Sequence, residues 1–130
     1  MSKLLVVAGS TRNGAFSKQL AQAVAALARS GGHEATFVDL RDFAMPLYDG
    51  DLEDAKGLPD GAVRLRALAK QHAALLVVTP EYNASLPAVL KNALDWLSRP
   101  YAAEPGVSPF AGKVAAVMAS SPGALGGMRA

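Results

Sequence analysis

Two short apolar runs, Leu4-Leu5-Val6-Val7-Ala8 and Ala73-Ala74-Leu75-Leu76-Val77-Val78, each break off into a polar loop and then into apolar residues at helical spacing. Runs of this length bounded by turn formers read as strands buried on both faces, as in a parallel sheet. Gly9-Ser10 follows the first run, and then Leu20, Val24 and Leu27 with alanines between Ala21 and Ala28. Thr79 to Pro87 follows the second, and Leu86, Val89, Leu90, Ala93, Leu94 and Leu97 continue as a helix. Parallel strands need crossovers, and helical crossovers are right-handed. The pattern therefore predicts a doubly wound α/β sheet with helices on both faces.

The rest of the chain fits the same scheme. Ser30-Gly31-Gly32 stops the first helix, and Ala35-Thr36-Phe37-Val38 reads as a second strand ending at Asp39. Residues 41–61 carry Pro46, Gly50, Gly57, Pro59 and many acids, and predict a long irregular connection. Val63, Leu65, Ala67 and Leu68 belong to a second helix, residues 99–112 form a Pro/Gly-rich loop, and residues 113–119 give a fourth strand. A glycine-rich loop, residues 120–127, follows. With 130 residues of which 51% are hydrophobic, the chain supplies one core, so residues 1–130 are read as a single domain. The loops after strands one, three and four should gather on one edge, where open α/β sheets bind ligands.

Several chemistries are disfavoured at once. There is no cysteine, hence no disulfide, no thiolate nucleophile and no usual structural zinc, which agrees with a reducing, cytoplasmic compartment. Thirteen basic and eleven acidic residues are dispersed along the chain, a balance that does not indicate nucleic acid. The run after Lys3 is too short for a secretory signal, and no segment reaches the ~20 apolar residues of a membrane helix. His33 and His72 lie beside predicted helix ends without a second ligand at metal spacing, so they are read as solvated or capping. Ser10 has no His/Asp pair to activate it. Lys91 and Asp95 read as a surface i, i+4 pair, and Trp96 as packing.

The loops themselves suggest anion binding. Gly9-Ser10-Thr11-Arg12-Asn13-Gly14 opens a helix, so backbone donors, two hydroxyls and a guanidinium surround the positive end of the helix dipole. Its spacing copies the first half of a Walker A loop, but Ala15 and Phe16 stand where the lysine and hydroxyl residue belong. An NTPase is thereby disfavoured. A Rossmann site lacks G-x-G-x-x-G, and only Asp39 resembles its ribose-binding acid.

Taken together, Gly9-Ser10-x-Arg12, Pro80-Glu81-Tyr82-Asn83-x-Ser85, Leu90-Lys91-Asn92-Ala93-Leu94-Asp95-Trp96 and Ser121-Pro122-Gly123-x-x-Gly126-Gly127 resemble the NADPH-dependent FMN reductase family of flavodoxin-like proteins. That family includes bacterial quinone, chromate and azo-compound reductases. The resemblance implies FMN as cofactor, with Ser10, Arg12 and Ser17 on its phosphate. Pro80, Glu81, Tyr82 and Asn83 would line the isoalloxazine ring, mainly through backbone groups, with Ser85 beside them and Ser121 and Gly123 closing the other side. Family members often carry a hydroxyl residue where this chain has Ala15 and an asparagine where it has Ser17, which leaves Asn13 or Ser17 to replace a phosphate contact.

The activity implied is ping-pong transfer from NAD(P)H through the flavin to a quinone or similar small-molecule acceptor. It needs no catalytic side chain and no metal, and the family resemblance adds a homodimer or homotetramer. A non-enzymatic flavodoxin-like FMN-binding electron carrier or inactive fragment, and a phosphate-binding regulatory domain, are the other readings. The flavodoxin-like strand order 2-1-3-4-5 also calls for a fifth strand and further helices, whereas the sequence runs out at Met128-Arg129-Ala130. The expectation is a sheet lacking its C-terminal strand and helices, in a fragment or a chain completed by another.

Overall fold

The computed structural model describes all residues from Met1 to Ala130. Its elements run β1 (Lys3–Ala8), α1 (Phe16–Ser30), β2 (Glu34–Asp39), a 3-10 turn (Leu40–Phe43), α2 (Gly50–Lys56), α3 (Asp60–Gln71), β3 (Ala74–Thr79), α4 (Ala88–Ser98) and β4 (Val114–Ala119). The four strands are parallel in the order β2-β1-β3-β4, with Val6 in register between Phe37 and Leu76. This is the flavodoxin-like order over the strands present.

The apolar runs are continuous because both faces of β1 are covered. Leu5 and Val7 point into a core with Leu65, Leu90, Ala93, Trp96 and Leu97 from α3 and α4, while Val6 and Ala8 meet Ala21 and Ala25 of α1 on the other face. Alanines one turn apart let α1 lie close to the sheet, and Leu27, on the far side of that helix, is exposed. The strand β4 is different. It pairs with β3 alone, and Val114 and Val117 are 74% and 66% exposed, so neither of its faces is covered. No helix is long and apolar enough to cross a membrane.

Residues 41–61 are not the irregular connection that their composition predicts. They hold the end of the 3-10 turn and the whole of α2, whose N-terminus is capped by Asp49 accepting the Asp51 N–H at 2.9 Å. None of the residues of α2 is buried, so it has no apolar stripe for periodicity to find. The connection is then pinned to α4. Trp96 Nε1 and Asn92 Nδ2 both donate to the Pro46 carbonyl, at 2.8 and 2.9 Å, and Tyr48 N donates to Asn92 Oδ1 at 2.8 Å. The Tyr48 ring stands edge-on to Trp96, its hydroxyl donates to Glu53, and Arg99 also donates to Glu53. Those two donors hold the Glu53 carboxyl below its ordinary value.

Of the histidines, His72 is the C-cap of α3 and is buried, a capping role and not a solvated one. Its Nδ1 donates to the Leu68 carbonyl at 2.7 Å, and Nε2 pairs with Thr36 Oγ1 at 2.8 Å, joining α3 to β2. His33 is exposed and its Nδ1 accepts the Ser2 N–H at 3.3 Å. No group of three residues is arranged to hold a metal ion. Lys91 and Asp95 do form the exposed i, i+4 pair.

Candidate functional site

At the carboxyl edge of the sheet, the loops after β1, β3 and β4 enclose a cleft of about 170 Å³. Ser10 and Arg12 line it from the first loop and Ser17 from the first turn of α1, Pro80, Glu81 and Tyr82 from the second loop, and Ser121 from the third. Seven residues singled out by sequence thus meet in space. Asn83, Ser85 and Gly123 are exposed and lie outside the lining, whereas Ala15, Phe16, Ser120 and Pro122 belong to it without having been singled out. The signal for Phe16 was available, since an aromatic at the first turn of a helix after a glycine loop has no core to enter.

The first loop is shaped by close approach. Gly9 N donates to the Val78 carbonyl at 2.8 Å, and a Cβ on Gly9 would stand 2.9 Å from Thr79 Oγ1, so only glycine lets β1 and β3 end side by side. Ser10 is buried and its Oγ accepts the Arg12 N–H at 3.2 Å, turning the chain toward α1. The N-cap of α1 is Ala15, which has no side-chain acceptor. The amides of Phe16 and Ser17 are consequently left without an acceptor in the chain.

Ser17 adds to this demand. It is 2% exposed, and its hydroxyl has no hydrogen-bond partner. A buried polar group left unmade costs roughly 1–3 kcal/mol, and natural proteins tolerate it where something else completes it. Arg12 is exposed and joins none of the ion pairs of the chain. Free amides, an orphaned hydroxyl and an unpaired guanidinium at a helix N-terminus form a donor set with no acceptor, which suits a phosphate.

In the second loop, Tyr82 and Ser85 exchange backbone hydrogen bonds of 2.9 and 3.1 Å across a tight turn whose middle residues, Asn83 and Ala84, have φ of 52° and 63°. Asparagine tolerates that left-handed conformation and alanine is strained in it. The turn spends the Tyr82 N–H and projects Asn83 and Ser85 outward. Of the four backbones expected to face a ring, only Glu81 and Asn83 keep a free N–H, because Pro80 has none. Phe16 and Tyr82, 64% and 49% exposed, form aromatic lips on the cleft.

In the third loop, Ser121 Oγ accepts the Gly123 N–H at 3.1 Å, and Gly127, with φ of 82°, folds back so tightly that a Cβ there would lie 2.4 Å from the Ala119 Cβ. Asp39, at the end of β2, is already engaged. Its carboxylate meets the buried Lys18 ammonium at 2.7 Å and accepts the Arg41 N–H at 3.0 Å, so it is not free for a ribose.

Burial works against ionisation of Asp39, but the Lys18 ammonium and the Arg41 N–H outweigh it and hold the carboxyl below its ordinary value of 3.8. A carboxyl depressed in the folded state adds stability above its unfolded value, and that stability is lost as pH falls from about 4 through the folded value. Lys18→Met is expected to cost about 2 kcal/mol at neutral pH by stranding the carboxylate. The difference from the parent chain should shrink as Asp39 becomes protonated, which urea denaturation at neutral pH and near pH 3 would read.

Residues 2–130 match the family described as NADPH-dependent FMN reductase. The chain belongs to that family. This FMN reductase family member is 44% identical over 124 residues to a 2-hydroxy-1,4-benzoquinone reductase of Burkholderia sp, covering 95% of itself and 63% of that relative. It is 39% identical over 129 residues to an NAD(P)H-dependent FMN reductase of Pseudomonas aeruginosa, covering 98% of itself and 64% of the relative. Among solved structures it matches FerB, a flavoenzyme NAD(P)H:(acceptor) oxidoreductase from Paracoccus denitrificans, with a TM-score of 0.82 and 34% identity, over all of this chain and 66% of that one. The family member thus spans a little under two thirds of the length of the curated relatives it matches. Membership brings FMN as the family's cofactor and NAD(P)H as its reductant.

Proposed function

We propose that residues 1–130 are a flavin-binding domain that holds FMN in the cleft, and that the domain serves NAD(P)H-dependent reduction of a quinone or similar acceptor by a ping-pong cycle. The observation that carries this reading is the buried, partnerless Ser17 hydroxyl beside the free amides of the first turn of α1. The family's relatives named as quinone and FMN reductases support the substrate class.

When bound, FMN supplies the two-electron chemistry, taking hydride equivalents from a nicotinamide and passing electrons to the acceptor. The residues of the chain bind, orient and shield. Ser17, the amides of Phe16 and Ser17 and the Arg12 guanidinium would neutralise and anchor the phosphate. The free N–H groups of Glu81 and Asn83 are the donors available to a ring, and donors of this kind favour the more anionic reduced form. Phe16 and Tyr82 would keep water from its faces. No side chain acts as nucleophile or proton donor in this scheme. A cysteine-free sequence supports a cytoplasmic setting, and exposed Leu47, Val114 and Val117 support a homodimer or homotetramer.

Titrating the apoprotein with FMN and following flavin fluorescence tests the reading. Micromolar or tighter binding is expected, and Ser17→Ala should weaken it about tenfold, the worth of one charge-assisted hydrogen bond. A parent chain that binds no FMN would overturn the proposal. With flavin bound, NAD(P)H oxidation driven by a benzoquinone should give parallel double-reciprocal lines. Bound flavin without turnover supports an electron carrier or an inactive fragment instead.

A further inference from the structure

Glu81 is the acidic side chain in the lining of the cleft, and its carboxylate is fully engaged. Oε2 accepts the backbone N–H of Arg129 at 3.0 Å, while Oε1 accepts Nε at 3.2 Å and Nη2 at 2.9 Å. The Glu81 side chain is 10% exposed, whereas the Arg129 side chain that meets it is 55% exposed, so the pair lies at the surface with its carboxylate turned inward. Forty-eight positions separate the two residues in sequence, and the contact ties the loop after β3 to the loop after β4. The tight fold at Gly127 against Ala119 delivers Arg129 to this place, so the backbone N–H and the side chain converge on one carboxylate.

We infer that Arg129 is a positioning residue for the cleft: it fixes the distance between two of the walls and cancels the charge of Glu81. The inference rests on the reading of the cleft as an FMN site and deepens it. A lone carboxylate in that wall would repel an anionic ligand and oppose the negative charge that a flavin ring gains on reduction. Paired through three hydrogen bonds, the same carboxylate presents a far weaker field. An arginine suits this task because its planar fork meets the carboxylate while its own backbone N–H completes the set, a geometry lysine cannot copy.

Arg129→Ala should weaken FMN about tenfold and move the midpoint potential of the bound flavin to more negative values, because Glu81 keeps only the backbone N–H of residue 129 and loses the cation that cancels its charge. Arg129→Lys should restore the potential and only part of the affinity. Glu81→Gln placed on Arg129→Ala should also restore the potential, since the uncompensated charge is gone. A merely structural contact would lower the melting temperature and leave the potential where it was. An unmoved potential in Arg129→Ala therefore overturns the inference.

A second measurement needs no flavin. Amide hydrogen exchange at Tyr82 and Ser85, whose N–H groups close the turn, should quicken in apo Arg129→Ala although the substitution lies in another loop. Unchanged exchange there overturns the clamp. A parent chain that fails to bind FMN, with exchange still coupled between the loops, overturns the functional reading and supports the clamp.

Discussion

Trp96→Ala is expected to destabilise the fold by about 4 kcal/mol and to lower the melting temperature by roughly 15 °C, the largest effect of a single truncation in this chain. Trp96 is fully buried and belongs to the core formed by α3, α4 and one face of the sheet. Its removal leaves a large cavity in the layer that also holds Leu65, Leu90 and Leu97. It strips a donor from the Pro46 carbonyl, which keeps only Asn92, and takes away the ring against which Tyr48 packs. The long connection between β2 and α3 would then hang on Asn92 alone at this point. Urea denaturation followed by far-ultraviolet circular dichroism reads the loss directly, since Trp96 is the sole tryptophan and its fluorescence vanishes with it. Trp96→Phe separates the two contributions. It refills most of the cavity and should recover more than half of the stability while still lacking the indole N–H.

Sequence legibility follows burial over most of this protein, β4 excepted, whose apolar run was readable although both of its faces are exposed. β1 and β3 were readable because both faces are covered, which forces unbroken apolar runs, and α1, α3 and α4 because each buries one stripe. α2 was not, because nothing in it is buried and its only announcement was the Asp49 cap. At the cleft, the loops were legible from their place after strands, and Ser10, Arg12, Ser17, Pro80, Glu81, Tyr82 and Ser121 from the family resemblance of the motifs that carry them. What spacing could not show was which way each pointed. The left-handed turn at Asn83 and Ala84 sends Asn83 and Ser85 outward, a consequence of two backbone angles that no side-chain pattern records. The Glu81–Arg129 contact spans two loops and depends on the close fold at Gly127, so it became visible only in three dimensions.

Arg66→Leu is expected to cost about 3 kcal/mol and to release the loop of residues 99–112, although leucine is itself well suited to a buried position. Arg66 lies on α3 and is 1% exposed. Its guanidinium spends its N–H groups on a ring of acceptors: Nη1 donates to the carbonyls of Leu97 and Arg99 at 3.3 and 3.4 Å, Nη2 donates to the Val107 carbonyl, and Nε donates to Glu104 at 3.2 Å. The first two carbonyls are the open end of α4, where a cation also meets the negative end of the helix dipole. The last two acceptors belong to a loop that contains no helix or strand, so a buried arginine does there what backbone pairing does elsewhere. Lys70 and then Arg66 hold the Glu104 carboxyl below its ordinary value, and Lys70 would keep that contact in the variant. The loss therefore falls on the three orphaned carbonyls. Arg66→Lys should recover less than half of it, because one ammonium cannot reach acceptors spread around a planar fork. Chymotryptic cleavage at Tyr101 or Phe110 should become fast in Arg66→Leu at temperatures where the far-ultraviolet spectrum is still native. A loop that stays resistant, with unchanged melting, would show that packing alone holds it and that the arginine is dispensable.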